Sequence, residues 1–510
     1  MACGMAVGRV SPRLRRRGCG DPDEAVLWWS VIFPTGTGPV GLTLRLAPSV
    51  YYTELEQTMN KPNIVMILCD DLGYGDCSCY GQQAWETPNI DRMAAEGLRF
   101  TDFYTTSPVC SPARTSIMTG LHSGRLPIRR LADPYLPDEV PTIPWRLKEQ
   151  GYVSACIGKY GVGNGQPDVD PLRKGFDYHY GYNSMMHAHN YFPPFLRENG
   201  LRVPLRNRPP EGDERQWETG VGVAEEKVDY SPDFIEERAL EFIRDCADRP
   251  FFLYYCPTMP HANNEGGESP DGMEVDTYGD FEDRDWAPNE RGFARMVQRI
   301  DVTVGRVLDT LKELGIEEDT LVLFTSDNGP HNEGGHSVTR FDSSGGFQGY
   351  KRSLHEGGIR IPCIARWPGT IEAGESDHVG YFPDFMPTFC DLAGVEPPDE
   401  TDGLSIVPLL TGDGAGQETH EYLYFEYQNQ LAVRRGGWKF YRVDHDAASL
   451  SLDSTGDQEA LFHLPEDRHE DDDVKADYPE RLRELKSIVL DEHRDYAPQD
   501  VPPAYDRGEP

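Results

Sequence analysis

The sequence has few basic residues and no long hydrophobic run, and each shortage excludes a class of protein. Lysine and arginine number 49 against 86 aspartates and glutamates, which gives a formal net charge of −37 over 510 residues. Such a surface repels nucleic acids and anionic membranes, so we expect neither as a partner. The best apolar run, residues 25–33, is far shorter than the ~20 residues of a membrane-spanning helix. We therefore expect no stable association with a membrane.

The cysteines form neither a disulfide framework nor a zinc-binding pattern. Their number is odd, at 11, and Cys69, Cys156 and Cys256 lie in or beside strongly apolar runs. We therefore predict buried, reduced thiols. No Cys/His spacing matches a zinc site.

Residues 1–58 differ in character from the rest of the chain. The arginine-rich residues 13–17 would suit the start of a signal peptide, but acidic residues at 21–24 separate them from the apolar run, and no convincing cleavage site follows. We interpret 1–58 as a disordered or mis-assigned extension, with Met59 as the natural start. We then expect a cytoplasmic protein, and a periplasmic or secreted one if the extension is genuine.

Four apolar runs predict buried strands of a parallel sheet, because strands covered on both faces read as continuous hydrophobic segments. The runs are residues 64–69, 153–157, 251–255 and 321–325. Segments of helical period alternate with them at residues 90–96, 142–150, 233–245 and 293–314. This alternation predicts an α/β fold with a large, mostly parallel central sheet flanked by helices.

The pattern changes after about residue 415. Short apolar runs around a Gly436-Gly437 turn predict antiparallel strands at residues 421–426, 431–434 and 438–441, and a helix is predicted at Tyr478–His493. We assign residues 59–415 to a catalytic domain and residues 416–510 to a small α+β C-terminal subdomain. Residues 262–289 are long, acidic and glycine-rich, and we interpret them as either a lid over the site or a solvated insertion.

Residues 110–120 read CSPARTSIMTG and predict a helix whose start favours an anion. Ser111 suits the N-cap, Pro112 the first helical position and Gly120 the end. Cys110 then lies where free backbone N–H groups and the helix dipole favour negative charge, and Arg114 leans back toward that end. The alternative is a buried thiol that only caps a helix.

Polar residues follow the predicted strands, where ligands of open α/β sheets bind. Asp70 and Asp71 follow the first strand, and Asp327 and Asn328 follow the last. Carboxylate and amide oxygens suit Ca²⁺ or Mg²⁺ better than zinc. Each pair alone is more often an ordinary turn.

Taken together, residues 110–120 and Asp70-Asp71 resemble the signature of the type I, formylglycine-dependent sulfatases, of the arylsulfatase A and N-acetylgalactosamine-6-sulfatase kind. The resemblance covers about residues 61–490 and implies an alkaline phosphatase-like fold. It also implies that a formylglycine-generating maturation enzyme oxidises Cys110 to 3-oxoalanine (formylglycine), whose aldehyde hydrate is the nucleophile. By the same resemblance a divalent metal, Ca²⁺ with Mg²⁺ as the alternative, is held by Asp70, Asp71, Cys110, Asp327 and Asn328.

The resemblance implies further roles. Arg114 and the metal would hold the nucleophile, Lys159 would contact the sulfate, and His261 and Lys351 would protonate the leaving alcohol. Many family members read Gly-Lys-Trp-His where this chain has a glycine at position 161, so the histidine that contacts the aldehyde hydrate is missing. His189 is our candidate replacement. The candidates for substrate binding are His187, His189 and His336.

We therefore expect a metal-dependent sulfuric ester hydrolase that acts on aryl or carbohydrate sulfate monoesters. Two alternatives stay open. The first is a phosphonate or phosphate ester hydrolase of the same superfamily, because such a pocket tests the shape of an anion more than its central atom. The second is a non-catalytic protein with an unmodified thiol that binds sulfated glycans.

Overall fold

The computed structural model describes residues 61–131, 133, 136–163, 171–412, 414–444 and 457–494. The predictions for residues 1–58 lie outside this part of the chain, and the expected compartment stays a prediction. Within it, the larger sheet contains eleven strands. They are β1 Asn63–Cys69, β2 Leu98–Tyr104, β3 Val153–Lys159, β4 Tyr178–Tyr182, β5 Phe195–Glu198, β6 Leu201–Pro204, β7 Phe251–Cys256, β8 Thr320–Ser326, β9 Arg360–Arg366, β10 Gly374–Ser376 and β11 Gly380–Tyr381.

The centre of this sheet is parallel. Its strand order is β10-β2-β9-β8-β1-β7-β3-β4-β5-β6, with β11 beside β2. Strands β8, β1, β7, β3 and β4 run parallel, and they include all four predicted strands. Strand β9 is antiparallel to both of its neighbours, and the β4-β5-β6 edge is antiparallel. The mostly parallel sheet is confirmed, with antiparallel flanks in addition.

Helices cover both faces of the sheet. In chain order they are α1 Pro88–Ala95, α2 Cys110–Thr119, α3 Ile143–Lys148, α4 Glu214–Thr219, α5 Ser231–Asp245, α6 Pro288–Glu313, α7 Glu356–Ile359, α8 Phe385–Ala393, α9 Val407–Thr411 and α10 Pro479–Glu492. Successive residues of β1 point to opposite faces. Val65 and Ile67 pack with α1, α5 and α6, whereas Ile64 and Met66 pack with α2, α3 and α8.

The C-terminal part contains a second sheet of four antiparallel strands. They are β12 Leu423–Tyr427, β13 Gln430–Arg435, β14 Trp438–Asp444 and β15 Asp457–His463. Helix α10 packs on this sheet through Leu485, Ile488 and Val489. The antiparallel strands and the helix are confirmed, and β15 is a strand that the sequence analysis missed. The domain boundary near residue 415 stays a prediction.

Residues 262–287 are an ordered connection between β7 and α6. They contain three short 3₁₀ turns, Asn264–Gly266, Pro270–Met273 and Gly279–Phe281. The side chains of Met273 and Phe281 are buried in the main core, which anchors the segment to the domain. Its role as a lid stays a prediction.

The cysteines match a further expectation. Cys69, Cys156 and Cys256 are buried, and none of the cysteines in the described ranges forms a disulfide. Among the described residues, no helix has the length and apolar character needed to span a membrane.

Candidate active site

The polar residues predicted to converge do so at the carboxyl ends of the central strands. Asp70 and Asp71 follow β1, Lys159 ends β3, and Asp327 follows β8. Asp70 also forms a parallel bridge with Pro260, which brings the residues after β7 to the same edge. All of these side chains are buried, so their contacts form in a medium of low dielectric constant.

Helix α2 presents Cys110 as its first residue. The preceding residue, Val109, is extended at φ −146° and ψ 150°, and Gly120 ends the helix with φ 73°. The predicted cap at Ser111 is therefore wrong: the helix starts two residues earlier than predicted, at Cys110. The Ser111 hydroxyl instead accepts a hydrogen bond from the Gly163 N–H at 3.1 Å. Pro112 is the third helical residue, where it is tolerated because the first four N–H groups of a helix have no partner in it.

Arg114 lies one turn into α2 and reaches the ends of two strands. Its Nε donates to Asp327 Oδ2 at 2.8 Å, and its Nη1 donates to the Lys159 carbonyl at 2.6 Å. Its Nη2 lies 3.5 Å from Asp70 Oδ1. Burial acts to lower the pKa of Arg114, but the carboxylates of Asp327 and Asp70 raise it well above its usual value. The guanidinium is a fixed cation beside Asp70 and Asp327, the two carboxylates that lie close to Cys110.

Asp70 and Asp71 each pair with a buried lysine. Lys159 Nζ donates to Asp70 Oδ2 at 2.6 Å, and Lys351 Nζ donates to Asp71 Oδ2 at 2.8 Å. Burial acts to raise the pKa of both carboxyls, but these lysines hold each below its usual value. Asp71 has φ 65°, in the left-handed region that Asp tolerates better than most residues. This conformation directs its N–H to Asp327 Oδ1 at 3.1 Å.

His261 and Lys351 form a second pair at the site. Lys351 Nζ lies 3.0 Å from His261 Nε2, and His261 Nδ1 lies 2.6 Å from the Ala262 carbonyl. Burial, helped by the Lys351 charge, lowers the pKa of His261 well below its usual value. Burial also acts to lower the pKa of Lys351, but Asp71 and Glu333 raise it above its usual value. A neutral imidazole therefore lies beside an ammonium group.

The donor set at this edge fits a hard divalent cation. One ligand atom each of Asp70, Cys110 and Asp327 lie within 4.8 Å of one another. Asp70 Oδ1 and Asn328 Oδ1 are buried oxygens without a hydrogen-bond partner. Burial raises the pKa of Asp327 to about 7 against the lowering effect of Arg114, and burial raises the pKa of the Cys110 thiol to about 11. Oxygen-rich sites of this kind suit Ca²⁺ or Mg²⁺.

The predicted histidines separate into two groups. The His189 ring stacks on His261, with centroids 4.6 Å apart, so the structure brings it to the site. His187 Nε2 lies 3.0 Å from the Phe195 carbonyl, and burial lowers its pKa to about 3. His336 Nδ1 lies 2.7 Å from Glu290 Oε2. The contacts of His187 and His336 are those of packed structural histidines, and their role in substrate binding stays a prediction.

Gly161, where many family members have histidine, packs against the Arg114 stem. A Cβ at this position would lie 2.4 Å from Arg114 Cδ, and Gly161 has φ +70°. A side chain here would therefore displace the guanidinium.

Glu333 is a site residue that was not predicted from the sequence. Its Oε2 accepts a hydrogen bond from Lys351 Nζ at 3.1 Å, and its Oε1 pairs with Arg352. Burial acts to raise the pKa of Glu333, but Lys351 holds it well below its usual value. No motif or spacing in the sequence marks this carboxylate.

Comparison with known proteins decides the family. Residues 62–395 match the family model described as sulfatase, and residues 345–489 match the one described as N-sulphoglucosamine sulphohydrolase, C-terminal. The chain belongs to the sulfatase family. It is 36% identical over 414 residues to N-acetylgalactosamine-6-sulfatase of Canis lupus familiaris, and the aligned residues cover 74% of this chain and 71% of that protein. It is 33% identical over 425 residues to arylsulfatase A of Homo sapiens, and the aligned residues cover 78% of this chain and 77% of that protein.

A solved structure has a similar fold. A Bacteroides thetaiotaomicron protein from work on the metabolism of multiple glycosaminoglycans superposes with a TM-score of 0.68 at 25% identity, over 85% of this chain and all of that one. The sulfatase is therefore a sulfuric ester hydrolase with an alkaline phosphatase-like fold. A divalent metal and a formylglycine are general to the family.

Proposed function

We propose that this sulfatase hydrolyses a sulfate monoester of a carbohydrate, with formylglycine at position 110 and Ca²⁺ at the adjacent carboxylates. The observation that carries the proposal is the convergence of Cys110, three buried carboxylates and three buried cations at one edge of the sheet. In a protein with a net charge of −37, the site has its own local cations, which an anionic substrate needs. They are Arg114, Lys159 and Lys351.

Asp70, Asp71, Asp327 and Asn328 would hold the cation, together with the modified residue 110. The two buried oxygens without hydrogen-bond partners, Asp70 Oδ1 and Asn328 Oδ1, support this assignment. When bound, the cation supplies positive charge for the sulfate oxygens and lowers the pKa of a neighbouring hydroxyl. Ca²⁺ is preferred to Mg²⁺ on family precedent.

The hydrate of a formylglycine at position 110 would supply the attacking hydroxyl and, through its second hydroxyl, a route to release sulfate. Arg114, which is itself fixed by Asp327 and the Lys159 carbonyl, would help to hold the aldehyde hydrate. Lys159 is aimed by Asp70 at the same edge and would neutralise the nonbridging sulfate oxygens. Since these side chains are buried, water is largely excluded from them.

Lys351 and His261 would donate the proton to the leaving oxygen. Their Nζ and Nε2 atoms lie 3.0 Å apart, so a proton can pass between them without a large movement. A sugar alcohol is a poor leaving group, so this step matters most for a carbohydrate ester.

The carbohydrate assignment rests on the similarity to N-acetylgalactosamine-6-sulfatases and on polar side chains beside Lys351 and His261. His189 stacks on His261 and lies 3.4 Å from Glu265, and Glu333 contacts Lys351. Such groups can donate and accept hydrogen bonds to sugar hydroxyls. A purely aromatic pocket would not offer them.

Steady-state kinetics test the proposal. Protein matured by a formylglycine-generating enzyme is assayed with N-acetylgalactosamine 6-sulfate, nitrophenyl sulfate and nitrophenyl phosphate, with Cys110→Ala as the control. We expect turnover of both sulfates, the higher kcat/KM for the sugar, and none by Cys110→Ala. Faster hydrolysis of the phosphate ester would favour the phosphate hydrolase, and binding without turnover would favour the glycan-binding protein.

A further inference from the structure

Lys351 lies on an irregular segment that leads into α7. This segment, residues 349–356, is called the lysine loop below. Its N–H groups at Lys351 and Arg352 donate to the carbonyls of Pro330 and Pro108, each at 2.9 Å. Arg352 has φ 74°, in the left-handed region that costs a non-glycine residue about 1 kcal/mol or more. The turn that presents Lys351 therefore needs contacts that hold it in place.

Gln430, the first residue of β13 in the C-terminal sheet, supplies such contacts. Its Nε2 donates to the Arg352 carbonyl at 2.7 Å, and its Oε1 accepts from the Leu354 N–H at 3.1 Å. One side-chain amide thus bonds to the backbone on both sides of Ser353. The Tyr441 hydroxyl of β14 donates to the same Oε1 at 3.2 Å, which fixes the orientation of the amide.

The rest of the lysine loop is also held from the C-terminal sheet. Leu354 packs in one apolar cluster with Phe425 and Tyr427 of β12, and Val109, the residue before Cys110, belongs to the same cluster. At the far end of the lysine loop, the Glu356 N–H donates to Glu470 Oε2 in the C-terminal part at 2.7 Å. The C-terminal sheet therefore touches the segments that carry both the nucleophile and the leaving-group acid.

We propose that Gln430 is a positioning residue for sulfate ester hydrolysis: its amide holds the turn at Arg352 and thereby aims Lys351 at Asp71 and His261. This inference rests on the proposed role of Lys351 as a proton donor. Lys351 Nζ reaches Asp71 Oδ2 at 2.8 Å and His261 Nε2 at 3.0 Å, and both contacts depend on where the adjacent backbone lies. A displacement of about 1 Å in a catalytic group can lower a rate by about 100-fold.

The test compares Gln430→Met, which keeps the volume and removes both hydrogen bonds, with Arg435→Gln at the other end of β13. Arg435 pairs with Glu484 and Glu421 within the C-terminal part, so the control perturbs the same strand without touching the lysine loop. The matured, calcium-loaded enzymes are assayed with nitrophenyl sulfate and with a sugar sulfate. Amide hydrogen exchange of residues 349–356 is measured in parallel.

For Gln430→Met we expect kcat on the sugar sulfate to fall about 10- to 100-fold, with a smaller fall on nitrophenyl sulfate, whose leaving group needs little protonation. KM changes little, and exchange of the lysine loop rises. Arg435→Gln leaves all of these near the wild-type values. If Gln430→Met does not fold, Tyr441→Phe is the second variant, and we expect the same dependence on leaving group with a smaller loss.

Wild-type kcat on the sugar sulfate in Gln430→Met, or in Tyr441→Phe where that variant is used, overturns the inference. An equal loss on both substrates, or an equal loss in the control, also overturns it, because it indicates general destabilisation. Lys351→Ala separates the positioning role of Gln430 from the proposed role of Lys351 as the acid. A large loss in Lys351→Ala with none in Gln430→Met contradicts only the positioning role, whereas no loss in Lys351→Ala contradicts the proposed acid.

Discussion

Replacement of Arg114 by alanine should destabilise the metal-free protein far more than the loss of a surface charge. The guanidinium is fully buried and contacts Asp327 at 2.8 Å, the Lys159 carbonyl at 2.6 Å and Asp70 at 3.5 Å. Breaking a buried ion pair by removing one partner costs about 3–5 kcal/mol. Arg114→Lys keeps the charge but loses the planar fork, so we expect a cost of about 1–3 kcal/mol from the unmade hydrogen bonds.

Urea unfolding in excess chelator measures these costs as shifts of the midpoint at constant slope. Lys148→Ala is the matched control, because Lys148 pairs with Asp177 at 2.6 Å on the surface and should be worth at most about 1 kcal/mol. Added Ca²⁺ should reduce the penalty of Arg114→Ala, since the cation neutralises the same carboxylates. An Arg114→Ala variant no less stable than the Lys148→Ala control in chelator would refute the buried ionic network.

Three further predictions concern the metal, Gly161 and pH. Chelation should abolish activity and lower the melting temperature measured by differential scanning calorimetry. Ca²⁺ at 100 times its Kd should restore about 2.7 kcal/mol of stability to the wild-type protein. Asn328→Ala should remove this stabilisation by Ca²⁺. Gly161→Ala should cost about 1–3 kcal/mol and lower kcat, because the new Cβ would lie 2.4 Å from Arg114 Cδ; unchanged stability and kcat would contradict this. Burial lowers the pKa of His179 and His187 to about 3 in the folded protein. Below about pH 6.5 the unfolded chain therefore binds more protons than the folded one. As the pH falls, each histidine then lowers the free energy of unfolding by about 1.4 kcal/mol per pH unit. Urea unfolding at pH 7 and pH 5 should show a shallower pH dependence in His179→Leu, and an unchanged dependence would contradict the assignment.

The central strands and the polar residues that follow them were predictable from the sequence. Residues 64–69 of strand β1 are all apolar because both faces of the strand are covered, and parallel strands bring their carboxyl ends to one edge. Asp70, Lys159 and Asp327 meet there for that reason. The role of Cys110 came from resemblance to a family and not from the physical chemistry of the motif alone.

Other features depend on contacts that no local pattern records. The predicted cap at Ser111 was wrong because Val109 is the extended cap residue and the helix starts two residues earlier than predicted. Glu333 meets Lys351, and Gln430 meets Arg352, across 18 and 78 residues of chain. Their polar side chains read as ordinary surface residues until the fold brings them to the lysine loop.

The most direct test of the account is the mass of the tryptic peptide 100–114, from protein made with and without a formylglycine-generating enzyme. The account predicts an aldehyde at position 110 after maturation, and sulfate ester turnover in proportion to the fraction of aldehyde. Full turnover by a protein whose Cys110 is an unmodified thiol would contradict it.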